Sequence, residues 1–211
     1  MPKTSRKPQA LYSVHPGIAM AQKWVEELPS KTGRSLDEWV ALTQKSCPPD
    51  QKARTAWLKS EHGFGTNQAS WIAARASGND QVIHEVDDDA YLRSAEENVE
   101  KMYTGPKASL KPIYDTLLDL GLKLGNDVRA CPCKTMVPFY RKHVFAQIKP
   151  TTNTRIDLGF ALKDHKVEGR LIDTGGFAKK DRITHRIPIS SLKEIDAEVK
   201  SWLKLAYEMD V

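Results

Sequence analysis

One stretch of the sequence combines residue types that can hold an anion. Residues 173–182 read Asp-Thr-Gly-Gly-Phe-Ala-Lys-Lys-Asp-Arg, so two adjacent glycines precede three basic side chains. Paired glycines tolerate positive φ angles and can expose backbone amides, to which Lys179, Lys180 and Arg182 add positive charge. The stretch lacks the Lys-Ser or Lys-Thr ending and the following helix of a nucleotide-binding P-loop. It predicts either an anion site or a hairpin loop with a basic tip.

The strand predicted to follow this loop, residues 182–189, alternates polar and apolar side chains. Side chains two residues apart in a strand share a face, so Arg182, Thr184 and Arg186 are predicted to lie together. Arg155 and Asp157 alternate with apolar residues in the same way and join that face if the two strands pair. The predicted ligand-binding set is Gly175, Gly176, Lys179, Lys180, Arg182, Thr184, Arg186 and Arg155. The alternative is a solvated face with cross-strand salt bridges.

Three further groups of residues have side chains that could catalyse a reaction or bind a metal, but a structural role explains each of them more simply. His185 lies between two isoleucines, which favours a hydrogen-bonded core histidine over a catalytic one. Cys131 and Cys133 lack zinc-site spacing and predict buried or half-buried free thiols, the alternative being a thiol made reactive by Lys134. The acidic run at residues 84–89 can bind a hard cation, but a capped helix start explains it, so we expect no metal site.

A helical pair near residue 65 offers a second candidate site. Two predicted helices are joined by Glu-His-Gly-Phe-Gly at residues 61–65, as in a helix-turn-helix. The second helix carries Asn67, Gln68, Ser70 and Arg75, and such side chains can read base edges in DNA. The alternative is that two helices joined by a glycine turn simply pack together.

The sequence contains no motif that predicts catalysis. We find no Ser-His-Asp spacing, paired-carboxylate motif or Gly-x-Ser-x-Gly, so we expect a binding or adaptor protein that holds an acidic small molecule or partner, with no cofactor. A DNA-associated protein is the second hypothesis. The third is an enzyme that acts on an anionic substrate through His185 and Arg186.

Composition limits the class of protein. The 211 residues carry a net charge of +5 with three cysteines, and the longest apolar run is too short for a membrane span. The basic start lacks the apolar segment of a secretory signal, so we expect a soluble cytoplasmic protein. Residues 81–106 hold seven acidic and two basic side chains between two basic regions. This predicts either a boundary or a segment that lies against basic groups of the same chain.

The hydrophobic pattern changes along the chain. Four short helices with a 3.6-residue period are predicted before residue 78, and Trp24, Trp39, Trp57 and Trp71 are their large apolar side chains. From Val128 to residue 189 the period is two, and a closing helix follows. The predicted fold is α+β: a small N-terminal helical bundle followed by a mainly antiparallel sheet with helices on one face. The predicted parts are a flexible tail at 1–11, a helical module at 12–78, an acidic linker at 79–89 and an α+β module at 90–211.

Four stretches carry a family resemblance: residues 31–40 (KTGRSLDEWV), 57–63 (WLKSEHG), 131–150 with its Cys-Pro-Cys-Lys start and FAQIKP end, and Thr184-His185-Arg186 with the closing Trp202 to Glu208. Together they resemble a bacterial two-module family of unknown function. Its N-terminal module is domain of unknown function 4287, and the C-terminal module is similar to domain of unknown function 5655. The resemblance covers nearly the whole chain after the tail. It implies an architecture but no reaction and no catalytic residues.

Overall fold

The computed structural model of the chain describes residues 11–47, 49–78 and 87–211. They form two compact units, a helical unit over residues 14–91 and an α+β unit that comprises residues 92–211 together with the segment before Val14. The predicted tail, apart from Leu11, and most of the predicted acidic linker lie outside the described residues. So do His84 and Glu85 of the acidic run.

The helical unit begins with four short helices, α1 Pro16–Thr32, α2 Leu36–Ser46, α3 Gln51–His62 and α4 Thr66–Ala76. Helix α2 begins with a capping box: Glu38 donates its amide to Ser35 Oγ, and its carboxylate accepts the Ser35 amide. α1 continues through Pro29, because the chain turns left-handed only at Gly33. α4 begins after Gly65 without a side-chain cap.

The core of the helical unit is rich in aromatic side chains. Trp39 is buried and packs edge-on against Phe64, and the His62 ring lies 4.8 Å from Trp39 and 4.5 Å from Trp57. Trp24 meets Trp71 edge-on at 5.2 Å. The four tryptophans therefore supply much of the apolar surface of this bundle, as the helical period predicts.

Helix α5, Asp88–Met102, follows, and the division between the units falls within it. Asp87 caps it by accepting the Ala90 amide, so the end of the acidic run is the capped helix start that the sequence predicts. A 3-10 turn, Gly105–Leu110, then leads into α6, Lys111–Leu122. Before Val14, Tyr12 bonds to Tyr114 through the two hydroxyls at 2.8 Å, so it belongs to the α+β unit although we predicted it in the helical module.

The sheet has six strands in the order β1-β2-β3-β4-β6-β5, and every neighbouring pair is antiparallel. The strands are β1 Arg129–Ala130, β2 Val137–Tyr140, β3 Val144–Lys149, β4 Ile156–Phe160, β5 Ile172–Asp173 and β6 His185–Ile189. A 3-10 turn, Leu192–Glu194, precedes the closing helix α7, Ala197–Met209. The predicted fold class is confirmed. β6 begins three residues later than predicted, so Arg182 and Thr184 lie outside it.

One face of the sheet forms the main core. Ile148, Leu158 and Ile187 are cross-strand neighbours on this face and are fully buried. Helices α6 and α7 pack against the sheet and complete the core. The opposite face, which we call the polar face, carries Gln147, Lys149, Asp157, Gly159 and Arg186. No helix in the described parts of the chain is long and apolar enough to cross a membrane.

Candidate functional site

A cleft of about 560 Å³ lies at the end of the sheet where β4 ends and β6 begins. Its lining residues come from three segments: Ala161 and Lys163 after β4, Phe177, Ala178, Lys180, Asp181, Arg182 and Thr184 before β6, and Met209 and Asp210 at the end of α7. A cavity of this size fits a small organic molecule. Its wall combines apolar surface with charged groups of both signs.

Asp210 is the buried charge of the cleft, with a side chain only 2% exposed. Arg182 donates from Nη2 to Oδ1 at 2.6 Å, and His143 Nδ1 lies 3.0 Å from the same oxygen. Oδ2 accepts the backbone amides of Lys142 and His143 at 3.0 and 2.8 Å. Burial raises the pKa of Asp210, but the His143 amide and imidazole and the charge of Arg182 outweigh it, so this pKa lies below its ordinary value. Asp210 is therefore ionised near neutral pH and fixes Arg182 against the cleft wall.

A second group of contacts fixes the end of α7, which supplies Asp210. Arg141 donates from Nε to Asp127 Oδ2 at 2.8 Å and stacks its guanidinium 4.4 Å from the centre of the Tyr207 ring. The Tyr207 hydroxyl donates to Asp127 Oδ1 at 2.8 Å. These three side chains contact one another one helical turn before Asp210. The end of α7 is therefore fixed both by this group and by the contacts of Asp210 itself.

Two lysines of the cleft have unusual backbone conformations. Lys163 and Lys180 have φ angles of 56° and 60°, and they are the non-glycine residues with positive φ within the described ranges. An L-residue in this region costs roughly 1–2 kcal/mol, and such residues occur preferentially at functional sites. Neither ammonium group forms an ion pair with an acid of the described chain. Both strained residues therefore present an ammonium group without an ion-pair partner at one cleft, whose lining also includes the carboxylate of Asp181.

The charges of the cleft leave a positive surplus. Lys163, Lys180 and Arg182 face Asp181 and Asp210, and Arg182 already neutralises Asp210. Beside these charges Phe177 is 56% exposed, which is unusual for a phenylalanine. The cleft thus offers an aromatic surface next to two lysines.

The predicted glycine pair builds the loop but does not present open amides. Gly175 donates its amide to Asp173 Oδ1 at 2.7 Å, and Gly176 donates to Thr174 Oγ1 at 3.2 Å. Side chains of the same loop accept hydrogen bonds from both amides, so neither amide is available to an anion. The prediction that these backbone amides bind an anion is therefore wrong. Gly176 has another role: a Cβ there would lie 2.3 Å from the Ile183 carbonyl oxygen, so only glycine permits this close approach.

The structure distributes the eight predicted ligand-binding residues over three places. Lys180, Arg182 and Thr184 line the cleft. Gly175, Gly176 and Lys179 form the supporting loop, outside the cleft lining. Arg155 and Arg186 lie around Asp157 on the polar face. The predicted grouping of Arg182 with Arg186 therefore fails, because the strand that would align them begins only at His185.

Thr184 and His185 form a buried hydrogen-bonded pair beside the cleft. His185 Nε2 lies 2.9 Å from the His165 carbonyl oxygen, which can only accept, so this nitrogen donates. In the neutral ring Nδ1 then accepts from the Thr184 hydroxyl at 2.8 Å, and Thr184 Oγ1 accepts the Leu162 amide at 3.2 Å. His185 is a hydrogen-bonded core histidine, as its flanking isoleucines predict, and both ring nitrogens are engaged.

The cysteine pair lies outside the cleft lining. Burial raises the pKa of Cys131 to about 12 and also raises that of Cys133. Cys131 is buried and Cys133 is half-buried, as predicted, and a thiol activated by Lys134 is not supported. No group of three metal-ligating side chains occurs among the residues with described positions.

Helix α4 places the candidate nucleic-acid residues differently from one another. Asn67 is exposed, whereas Gln68 and Ser70 are half-buried against the bundle. Arg75 stacks its guanidinium 4.5 Å from the Trp71 ring centre. The exposed polar surface is therefore the first turn of the helix, and contact with DNA remains a prediction.

Sequence reasoning missed three residues of the site. Lys163 precedes Arg182 by 19 positions and Asp210 follows it by 28, and no motif links them. His143 bonds to Asp210 from the turn between β2 and β3. The alternation of residues within single strands carries no signal for residues that meet at the end of a sheet.

Family models match both units of the chain. Residues 99–210 match the model described as Domain of unknown function (DUF5655), and residues 20–78 match the one described as Domain of unknown function (DUF4287). This confirms the two-module resemblance. Every residue that lines the cleft lies within the first match. No curated protein and no solved structure matches the chain.

Proposed function

The chain belongs to the DUF5655 family, and we propose that its α+β unit binds a small anionic molecule in the cleft between β4, β6 and α7. One observation carries this proposal: Lys163 and Lys180, both held in the left-handed backbone region, line the same cleft without an acidic partner. Strain at two positions of one cavity, on residues of the same charge, is characteristic of a ligand clamp.

Electrostatics favours an anion over a neutral or cationic ligand. The charge of Arg182 is neutralised by Asp210, and its Nε donates to the Val144 carbonyl oxygen at 3.0 Å. Arg182 therefore forms part of the cleft wall and adds no net charge. Lys163 and Lys180 are exposed and bring the unpaired charge. Lysine ammonium groups are compact point charges, which suit the distributed charge of a phosphate. We therefore propose a phosphorylated ligand before a carboxylate.

The remainder of the wall favours a ligand with an apolar or aromatic part. Ala161, Ala178 and Met209 line the cleft, and the exposed Phe177 ring offers a stacking surface. Exposed charge pairs contribute little each, so affinity depends on this apolar contact as well. We expect a dissociation constant on the order of 0.1–1 mM for a minimal ligand.

Binding is a better supported role than catalysis for this cleft. His185, the histidine considered for an enzyme, uses both ring nitrogens inside the protein, and Arg186 pairs with Asp157 away from the cleft.

The cysteines form no disulfide within the described residues, which supports a reducing location such as the cytoplasm.

Titration calorimetry with phenyl phosphate tests the proposal, because this molecule joins an aromatic ring to a phosphate. The double variant Lys163→Gln/Lys180→Gln should lose at least tenfold in affinity. The matched control Lys166→Gln/Lys179→Gln removes two exposed lysines outside the cleft and should bind as the natural protein does. Equal loss in both variants, or no binding of phenyl phosphate by the natural protein, would contradict the proposal.

A further inference from the structure

A second cationic cluster lies on the polar face of the sheet. Asp157 is 12% exposed in its side chain and pairs with Arg155 Nε and Arg186 Nη1, both at 3.0 Å from Oδ1. Thr151 donates its hydroxyl to Oδ2 at 2.8 Å. Lys149 stands directly across the strand pair from Asp157. Two guanidinium groups thus contact one carboxylate, and a lysine lies at the neighbouring strand position, which leaves two positive charges in excess.

The cluster and the cleft lie at two points along β4 and the residues that follow it. Asp157 is within the strand, and Ala161, the first residue after it, still donates its amide to the Phe145 carbonyl oxygen of β3 at 2.8 Å. Asp157 belongs to the cluster and Ala161 to the cleft. Asp157 and Ala161 are four positions apart, which corresponds to about 13 Å at about 3.3 Å per residue of extended chain.

The segment before β6 also connects the two places. Ile183 lies over Gly159, since a Cβ on this glycine would be 2.7 Å from Ile183 Cγ2. Its neighbours Arg182 and Thr184 line the cleft, while Arg186 reaches the cluster. Cationic side chains therefore lie near both ends of β4, and Ile183 lies between them.

We propose that the surface between this cluster and the cleft binds an extended phosphodiester chain, a single-stranded oligonucleotide, with one phosphate at Lys163 and Lys180 and another at Arg155 and Arg186. This inference rests on the proposed anion binding in the cleft and names its ligand. A separation of about 13 Å exceeds the reach of one phosphate group but suits a chain of several nucleotides. The two guanidinium groups, oriented by Asp157, offer the planar donors that fit phosphate oxygens.

Phe177 favours a nucleic acid over another polyanion. Base stacking on an exposed aromatic side chain is the usual companion of a positively charged groove in proteins that bind single strands. Phe177 is 56% exposed and lines the cleft together with Lys180. Such a surface reads no sequence, so we expect binding with little base preference and a strong dependence on salt.

Fluorescence anisotropy with labelled oligothymidylates of two, four and eight nucleotides tests the inference on the full chain. Affinity should rise at least tenfold from the dinucleotide to the octamer. The variant Arg155→Gln/Arg186→Gln should abolish this rise while leaving phenyl phosphate binding unchanged. Because that variant strands the Asp157 charge, the triple variant that adds Asp157→Asn keeps the test valid if the first does not fold.

The outcomes separate the two proposals. If phenyl phosphate binds but the octamer binds no tighter than the dinucleotide, or the arginine variants keep the full length dependence, the inference is wrong and the cleft proposal stands. If an oligoglutamate of eight residues binds as tightly as the octamer, the surface recognises charge alone and the nucleic-acid inference is wrong. If neither probe binds, both proposals fail.

Discussion

Arg182 Nη2 lies 2.6 Å from Asp210 Oδ1, and this ion pair joins the loop before β6 to the end of α7. The two residues are 28 positions apart and both line the cleft. Because Asp210 also accepts two backbone amides from the turn between β2 and β3, three segments meet at one carboxylate. This buried charge therefore joins two walls of the cleft, beside the contacts of Arg141 and Tyr207 that also hold the end of α7.

Asp210→Asn should destabilise the protein by about 2–3 kcal/mol, since it weakens a buried, multiply bonded carboxylate. The pKa of Asp210 lies below its ordinary value of 3.8 in the folded chain. Its contribution is therefore complete above that value and is lost as the pH falls through the lowered pKa. Urea unfolding between pH 2.5 and 7 should show a shallower pH dependence in the variant. Glu208→Gln, at an exposed surface pair, is the control, and identical slopes for Asp210→Asn and the natural protein would refute the assignment.

Gly176→Ala should distort the loop at residues 173–182, because its Cβ would lie 2.3 Å from a backbone oxygen that cannot move aside alone. We expect a loss of stability of about 1–3 kcal/mol and weaker binding of phenyl phosphate. Thermal unfolding and calorimetry measure the two effects. Lys179→Ala, in the same loop, should change neither, and an unchanged melting temperature for Gly176→Ala would show that the loop is not held as described.

Thr184→Val should cost about 1–3 kcal/mol, because it leaves the Leu162 amide and His185 Nδ1 without their partner in a buried place. The shape of the side chain is kept, so the loss reports the hydroxyl. Chemical denaturation measures it, with Thr135→Val at an exposed position as the control. Equal stability of the two variants would contradict the hydrogen-bonded arrangement.

Cys131 and Cys133 should react slowly with a disulfide reagent at pH 8, because burial raises the pKa of both thiols and covers Cys131 completely. The measurement uses Cys47→Ser, so that only this pair contributes absorbance. Urea should bring the rate up to that of an ordinary thiol. A rate in the folded protein equal to that in urea would instead support a reactive pair.

The sequence predicts the fold well because each element depends on local pattern. The period of two in Ile156, Leu158 and Phe160 requires one buried face, and that face is the core. Ser35 and Glu38 likewise specify the start of α2 from four consecutive residues. These local patterns predict the fold correctly because the tertiary contacts favour the same helices and strands.

The site was predicted only in part because its geometry is set by non-local contacts. Arg182 lies before β6, outside the strand that we predicted, and its guanidinium pairs with Asp210. No local sequence pattern predicts that pair. The left-handed backbone of Lys163 and Lys180 runs against the intrinsic preference of lysine, so propensity points the wrong way at both positions. The amides of Gly175 and Gly176 were taken by side chains within their own loop, a choice that composition does not reveal.

The most direct test of anion binding in the cleft is a two-dimensional amide NMR titration of the full chain with phenyl phosphate. Saturable shifts should appear at Ala161, Phe177 and Ala178 and should disappear in Lys163→Gln/Lys180→Gln. Shifts that spread over exposed lysines throughout the chain without saturation, or that leave these three amides unmoved, would contradict the account.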